Sequence, residues 1–190
     1  MKLIIASGNP GKLREIREIL QGKFDEIVSM KEAGIDHETV EDGSTFAQNA
    51  EKKAREIMEI SHCAALADDS GICVTALGGA PGVYSARFSG VHGDDAANNR
   101  LLVEKLKGAA DRSAHYECAV CLYYPDGTKV EVTGELWGEI AETPSGTGGF
   151  GYDPYFYLPS YGCTVACLSE EEKNRVSHRG NALRALLAKL

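Results

Sequence analysis

The chain has no long apolar run. Apolar runs such as residues 3–6 and 63–67 fall far short of the roughly 20 residues a membrane-spanning helix needs, so no helical span and no membrane partner are expected. A secretory signal is missing as well, because one lysine leads into four apolar residues and then into glycine and asparagine, with no cleavage site of small residues. A cytoplasmic location is the expectation. Linkers, low-complexity tracts and self-similar periods of about 20 to 50 residues are absent, which excludes a solenoid or tandem array. The 190 residues suit one globular domain with room for two lobes.

Positive charge is scarce too. Twenty Lys and Arg stand against 28 Asp and Glu, a net charge of −8, which opposes non-specific binding to a nucleic-acid backbone. No nucleic-acid partner is expected. A small anion would need a local positive pocket, for which Lys12, Lys53, Arg87, Lys173, His178 and Arg179 are the candidates.

Six cysteines are present, and Cys118-x-x-Cys121 and Cys163-x-x-x-Cys167 have the spacing of zinc ligands. Residues 115–124 read as a strand, however, in which positions three apart face opposite sides. Buried, reduced thiols are expected instead.

The order of elements is that of an α/β protein. Residues 2–6 form a short strand, and Leu13, Ile16, Ile19 and Leu20 mark a helix after the turn Ser7-Gly8-Asn9-Pro10-Gly11-Lys12. Two readings of that turn are open. Helix N-terminal N–H groups with Lys12 favour an anion, or Asn9 and Pro10 simply start the helix with Lys12 solvated. A second helix over 44–60 has Phe46, Ala50, Ala54 and Ile57 on one face and Asn49 and Lys53 on another. A third helix covers 94–107, and strands at 115–124 and 128–137 flank the hairpin signal Pro125-Asp126-Gly127.

A strand over 63–67 delivers Asp68, Asp69 and Ser70 at its end, and another resumes at Ile72. Adjacent carboxylates repel unless a cation or donor holds them, which suits a metal site or a catalytic base; an Asx-turn is the alternative. Ser169-Glu170-Glu171-Glu172 reads as a capping box. Ser177 then precedes a last helix with Leu183, Leu186, Leu187 and Leu190 inward, which puts His178 and Arg179 in its first turn, the unfavourable end for cations. The run Gly148-Gly149-Phe150-Gly151-Tyr152-Asp153-Pro154 joins turn-forming residues to one ring and one carboxylate. It suits either a plain turn or a loop that brings backbone and a ring against a flat ligand.

Taken together, Ser7-x-Asn9-x-x-Lys12, Thr45-Phe46-x-x-Asn49-Ala50-x-x-Lys53, Ala67-Asp68-Asp69-Ser70-Gly71, Gly78-Gly79-x-Pro81-Gly82, the Gly148 loop and Glu172-Lys173-x-x-x-Ser177-His178-Arg179 resemble the inosine triphosphate pyrophosphatase family, in a fixed order from residue 3 to about 187. The resemblance implies an α/β fold in which a long, bent mixed sheet with flanking helices forms a cleft between two lobes. It also implies a homodimer and Mg²⁺-dependent hydrolysis of ITP, dITP and XTP to the monophosphate and pyrophosphate.

By the same resemblance Asp69 is general base and metal ligand, and Glu41 is the second ligand, with Asp42 beside it as the alternative. Ser7, Gly8, Asn9, Pro10, Gly11, Lys12 and Lys53 hold the phosphates, and Ser70 donates to one of them. Phe150 stacks on the purine within the loop of Gly151 and Tyr152; Asp153 and Lys173 hydrogen-bond around the base, and His178 and Arg179 read its edge. Two other functions are compatible with parts of the pattern. One is the related septum-inhibitor type of pyrophosphatase, acting on thymidine or uridine triphosphates; the other is a nucleotide-binding module without turnover.

Overall fold

The computed structural model describes residues 1–190. The chain has seven strands, β1 (Lys2–Ile5), β2 (Glu26–Ser29), β3 (Ala64–Val74), β4 (Ser113–Tyr123), β5 (Lys129–Ile140), β6 (Phe156–Leu158) and β7 (Cys163–Thr164), and five α-helices, α1 (Pro10–Leu20), α2 (Phe46–Ser61), α3 (Asp95–Lys105), α4 (Glu170–Val176) and α5 (His178–Leu187); helices follow each of the first three strands, and α4 and α5 come after β7. The strands form one mixed sheet in the order β2-β1-β3-β4-β5-β6-β7. β1 pairs in parallel with β2 and with β3, whereas β6 pairs antiparallel with β5 and β7. The expected α/β class with a mixed sheet and flanking helices is what forms.

The chain divides into two compact units. The first contains Met1–Asp69, Cys118–Gly134 and Arg179–Leu190; the second contains Ser70–Glu117 and Glu135–His178. In the first, Ile16 and Leu20 of α1, Leu3 and Ile5 of β1, and Leu183 and Leu186 of α5 are fully buried in one apolar core. Each such side chain contributes about 1.5–3 kcal/mol of burial free energy. In the second, Ile72 and Val74 pack with Leu102, Leu106 and Phe156 in a core of their own.

Local sequence explains several element ends. Thr45 caps α2 by accepting the Gln48 N–H, and all four expected apolar residues of that helix are buried. Ser169 and Glu172 form the reciprocal capping box at α4. The hairpin turn closes through Tyr124 N–H donating to Thr128 O, and Asp126 accepts from the Thr128 backbone and hydroxyl.

Three expectations need correction. β3 runs without a break through Asp68, Asp69, Ser70 and Gly71, so the carboxylates sit inside a strand and no Asx-turn forms. α5 ends at Leu187, which leaves Leu190 half exposed. The thiols are reduced, but only Cys118 and Cys121 are buried; Cys63, Cys73 and Cys163 are half-buried and Cys167 is exposed.

Candidate active site

In the first unit, α1 starts much as Asn9 and Pro10 dictate. The Asn9 carboxamide oxygen accepts the Gly11 and Lys12 N–H groups at 2.9 and 3.2 Å, Ser7 Oγ accepts the Asn9 N–H at 3.2 Å, and Pro10 opens the helix. Ser7, Gly8, Asn9, Pro10 and Gly11 therefore build a helix start whose first donors are already engaged. Lys12 does not follow the plainer reading, since its ammonium pairs with the buried Asp68 carboxylate at 2.9 Å.

The strand geometry of β3 turns its two aspartates to opposite sides, and each has its own partners. Asp68 Oδ2 receives Lys12 at 2.9 Å and Arg179 Nε and Nη2 at 3.1 Å each, with the Cys118 thiol at 3.9 Å. Arg179 Nη1 reaches Glu15 at 2.5 Å. Asp69 Oδ2 accepts from Asn49 Nδ2 at 2.9 Å, and its Oδ1 lies 3.6 Å from the Lys53 ammonium, which also holds Glu41 at 2.7 Å. Asn49 is itself aligned by Gly43, whose N–H donates to the Asn49 oxygen at 2.8 Å. Asp42 turns to Lys52 at 2.7 Å, so Glu41 is the acidic neighbour of the Asp69 group.

These environments separate the two aspartates. Burial raises the pKa of Asp68, but Lys12, Arg179 and Lys53 override it and hold the carboxyl well below the usual range. Burial raises that of Asp69 and prevails, with Glu41 adding to it against Lys53 and Asn49. Lys53 loses from burial and gains more from Asp69, Asp68 and Glu41, so its charge is secured. Asp68 is thus a fixed anion that positions cations, and Asp69 is the more basic carboxylate.

The protein supplies no donor to the buried Asp68 Oδ1. Glu41 and Asp69, repelling each other beside one ammonium, form an all-oxygen pair of the kind that binds Mg²⁺.

In the second unit, Asp153 organises the glycine loop. Its Oδ2 accepts from Phe150 N–H and Lys173 Nζ, both at 2.9 Å, and its Oδ1 accepts from the Tyr116 hydroxyl at 3.2 Å. The Lys173 ammonium lies 4.2 Å from the centre of the Phe150 ring, a cation–π contact that fixes one ring face. Gly151 is held from both sides, its N–H by Asp95 and its carbonyl by Asn99, each at 2.9 Å. His178 stacks on Tyr116 with ring centres 4.6 Å apart. A Cβ at Gly149, where φ is +71°, would stand 2.1 Å from the Asp153 carboxylate, so the loop admits only glycine there.

Several sequence-derived roles change in this light. Arg179, 1% exposed, spends its guanidinium on Asp68 and Glu15 and does not present it to a base edge. Asp153 is also buried and serves the loop from within, holding Phe150 and Lys173 in place. Tyr152 turns inward, and its hydroxyl donates to Ser85 O at 2.7 Å. Ser70 is half-buried beside Asp69 in β3. Glu15, Gly43, Asp95, Asn99 and Tyr116 were not singled out in the sequence. Only Glu15 carried a local signal, because it lies three positions after Lys12 on one helix face.

The sequence profile of the Ham1 family matches residues 3–189. The chain belongs to the Ham1 family. Among Ham1-type relatives, the protein named dITP/XTP pyrophosphatase from Chromobacterium violaceum is 49% identical over 191 residues, covering 100% of this chain and 96% of that one. The protein of the same name from Exiguobacterium sp. is 50% identical over 190 residues, covering 100% and 97%. A solved HAM1 protein from Coxiella burnetii superposes with a TM-score of 0.90 at 39% identity, over 100% of both chains. This is the family that the six sequence motifs resemble.

Proposed function

We propose that this chain hydrolyses dITP, ITP and XTP to the nucleoside monophosphate and pyrophosphate, removing deaminated purines from the nucleotide pool. The observation that carries the reading is the grouping of Asn49, Lys53 and Glu41 around Asp69 on a buried strand. The chain's relatives at 49% and 50% identity are named dITP/XTP pyrophosphatase.

Hydrolysis here requires an oriented water, a base for its proton and neutralisation of phosphate charge. Asp69 is the base: its raised pKa strengthens it as a proton acceptor, and Asn49 fixes its orientation. As the water oxygen bonds to the α-phosphorus, its proton passes to Asp69 and the α–β anhydride bond breaks to release pyrophosphate. Lys53 and Lys12 supply positive charge for the phosphates, and Ser70 a hydroxyl donor. Glu41 and Asp69 would hold Mg²⁺, which when bound neutralises phosphate charge and lowers the pKa of the attacking water.

Purine recognition falls to the second unit. Phe150 offers a ring for stacking, and Lys173 is a donor that cannot accept. It therefore suits the C6 carbonyl of hypoxanthine and xanthine and not the C6 amine of adenine. A site of that kind discriminates by up to roughly 10⁴. His178, braced on Tyr116, is the second edge-reading side chain.

The same reading takes the protein as a cytoplasmic homodimer. No helix is long and apolar enough to cross a membrane. Tyr84 and Val91, at 59% and 60% exposure, are large apolar side chains available to an interface that includes residues 78–87. Turnover of dITP in ¹⁸O-labelled water tests the chemistry. Label in the monophosphate with one pyrophosphate per turnover is expected, and label in orthophosphate would overturn attack at the α-phosphorus.

A further inference from the structure

The second unit contains a group of ligand-type side chains to which the reaction gives no task. Cys73 lies on β3, and His115 and Glu117 lie on β4, its neighbour in the sheet. His115 and Glu117 are two positions apart and share a face. The Cys73 sulfur, one His115 ring nitrogen and one Glu117 carboxylate oxygen all lie within 4.8 Å of one another, and all three residues are half-buried. Ligand atoms around a tetrahedral ion with bonds of about 2.0–2.3 Å stand about 3.3–3.7 Å apart. A closing movement on the order of 1 Å, within reach of side-chain torsions, completes the set.

We propose that Cys73, His115 and Glu117 form a zinc-binding site, chemically distinct from the carboxylate pair Glu41 and Asp69. The donor set decides the metal: one thiolate, one imidazole and one carboxylate match a borderline-soft ion, whereas Mg²⁺ takes oxygen donors. The ring that must meet the ion is already held. His115 stacks on Trp137 with ring centres 4.3 Å apart, and the Trp137 N–H donates to Glu135 at 2.9 Å. Bracing of that kind sets ligand orientation and strengthens binding.

A thiol binds zinc as its thiolate, so binding displaces one proton per ion. Three protein ligands leave the fourth position to water. The sequence concealed this site because its ligands come from two strands; the C-x-x-C pair that suggested zinc lies within one strand.

The test is titration of the full-length, chelator-stripped protein with Zn²⁺ and, spectroscopically, with Co²⁺. One Zn²⁺ per chain is expected, with a thiolate-to-cobalt charge-transfer band that Zn²⁺ erases. Cys73→Ser should abolish the band and His115→Asn should abolish zinc uptake, both with Mg²⁺-dependent pyrophosphatase activity unchanged. The double variant Cys163→Ser/Cys167→Ser should keep the band. No band in the wild type, or a band lost with Cys163 and Cys167, would overturn the assignment. If Cys73→Ser does not fold, His115→Asn decides alone, and retention of stoichiometric zinc by it would refute the site.

Discussion

Arg179 Nε and Nη2 both donate to one oxygen of Asp68, at 3.1 Å each, which ties the first turn of α5 to β3 through a buried ion pair. With Glu15 on its remaining nitrogen, the guanidinium is a structural counter-ion. Removing one partner of such a pair leaves the others buried and uncompensated, at a cost of about 3–5 kcal/mol. Arg179→Met is expected to lose stability of that order in urea unfolding. A variant of unchanged stability that lost preference for ITP over ATP would return Arg179 to the base edge.

Asp69→Asn removes the base and one oxygen ligand while keeping the side-chain size. Turnover should fall by about 10²–10⁴, the range for losing a general base, with unfolding behaviour near wild type. Rates close to wild type would show that Asp69 neither takes the proton nor holds the metal.

Gly43 is a less obvious determinant. A Cβ there would stand 2.5 Å from the Asn49 oxygen, the atom that Gly43 N–H itself aligns. Gly43→Ala should displace Asn49, release Asp69 from its hydrogen bond and lower kcat about tenfold, equivalent to about 1.4 kcal/mol. An unaltered kcat would show that Asn49 does not set the orientation of Asp69.

The part of this site legible in the sequence was local. Asn9 and Ser169 occur where helices need caps, and the spacing of Asn49 and Lys53 put them on one face; both reach Asp69. The Asp68–Gly71 stretch misled because acidic residues and glycine disfavour strands, an effect that the ion pairs of Asp68 and Asp69 override. Strands β2, β6 and β7 span only two to four residues, too few for a period to show. The task of Arg179 depends on partners 111 and 164 positions away, a tertiary relation that no local pattern contains.

Acid sensitivity follows from Asp68. Its folded pKa lies below the ordinary Asp value, so its contribution to stability is complete above the unfolded value of about 3.9. It is lost as pH falls from there toward the folded value, because only the unfolded chain takes up the proton. Asp68→Asn should lower stability at neutral pH and flatten the acid limb of the stability curve. An acid limb as steep as that of the wild type would show that other carboxylates control it.

Gly149→Ala tests the loop of the second unit. The positive φ and the approach to Asp153 should together cost about 1–3 kcal/mol and release Phe150 and Lys173 from their shared anchor. KM for dITP should rise more than kcat falls. A fall in kcat alone would separate this loop from purine binding.

The most direct single measurement is pyrophosphate release from deoxyinosine, inosine, xanthosine, adenosine, guanosine, thymidine and uridine triphosphates at one concentration, with Mg²⁺ and with chelator. Metal-dependent release from the first three, far above the other four, is the expected result. Equal rates on all seven, or no turnover with metal present, would contradict a purine-selective pyrophosphatase built around Asp69.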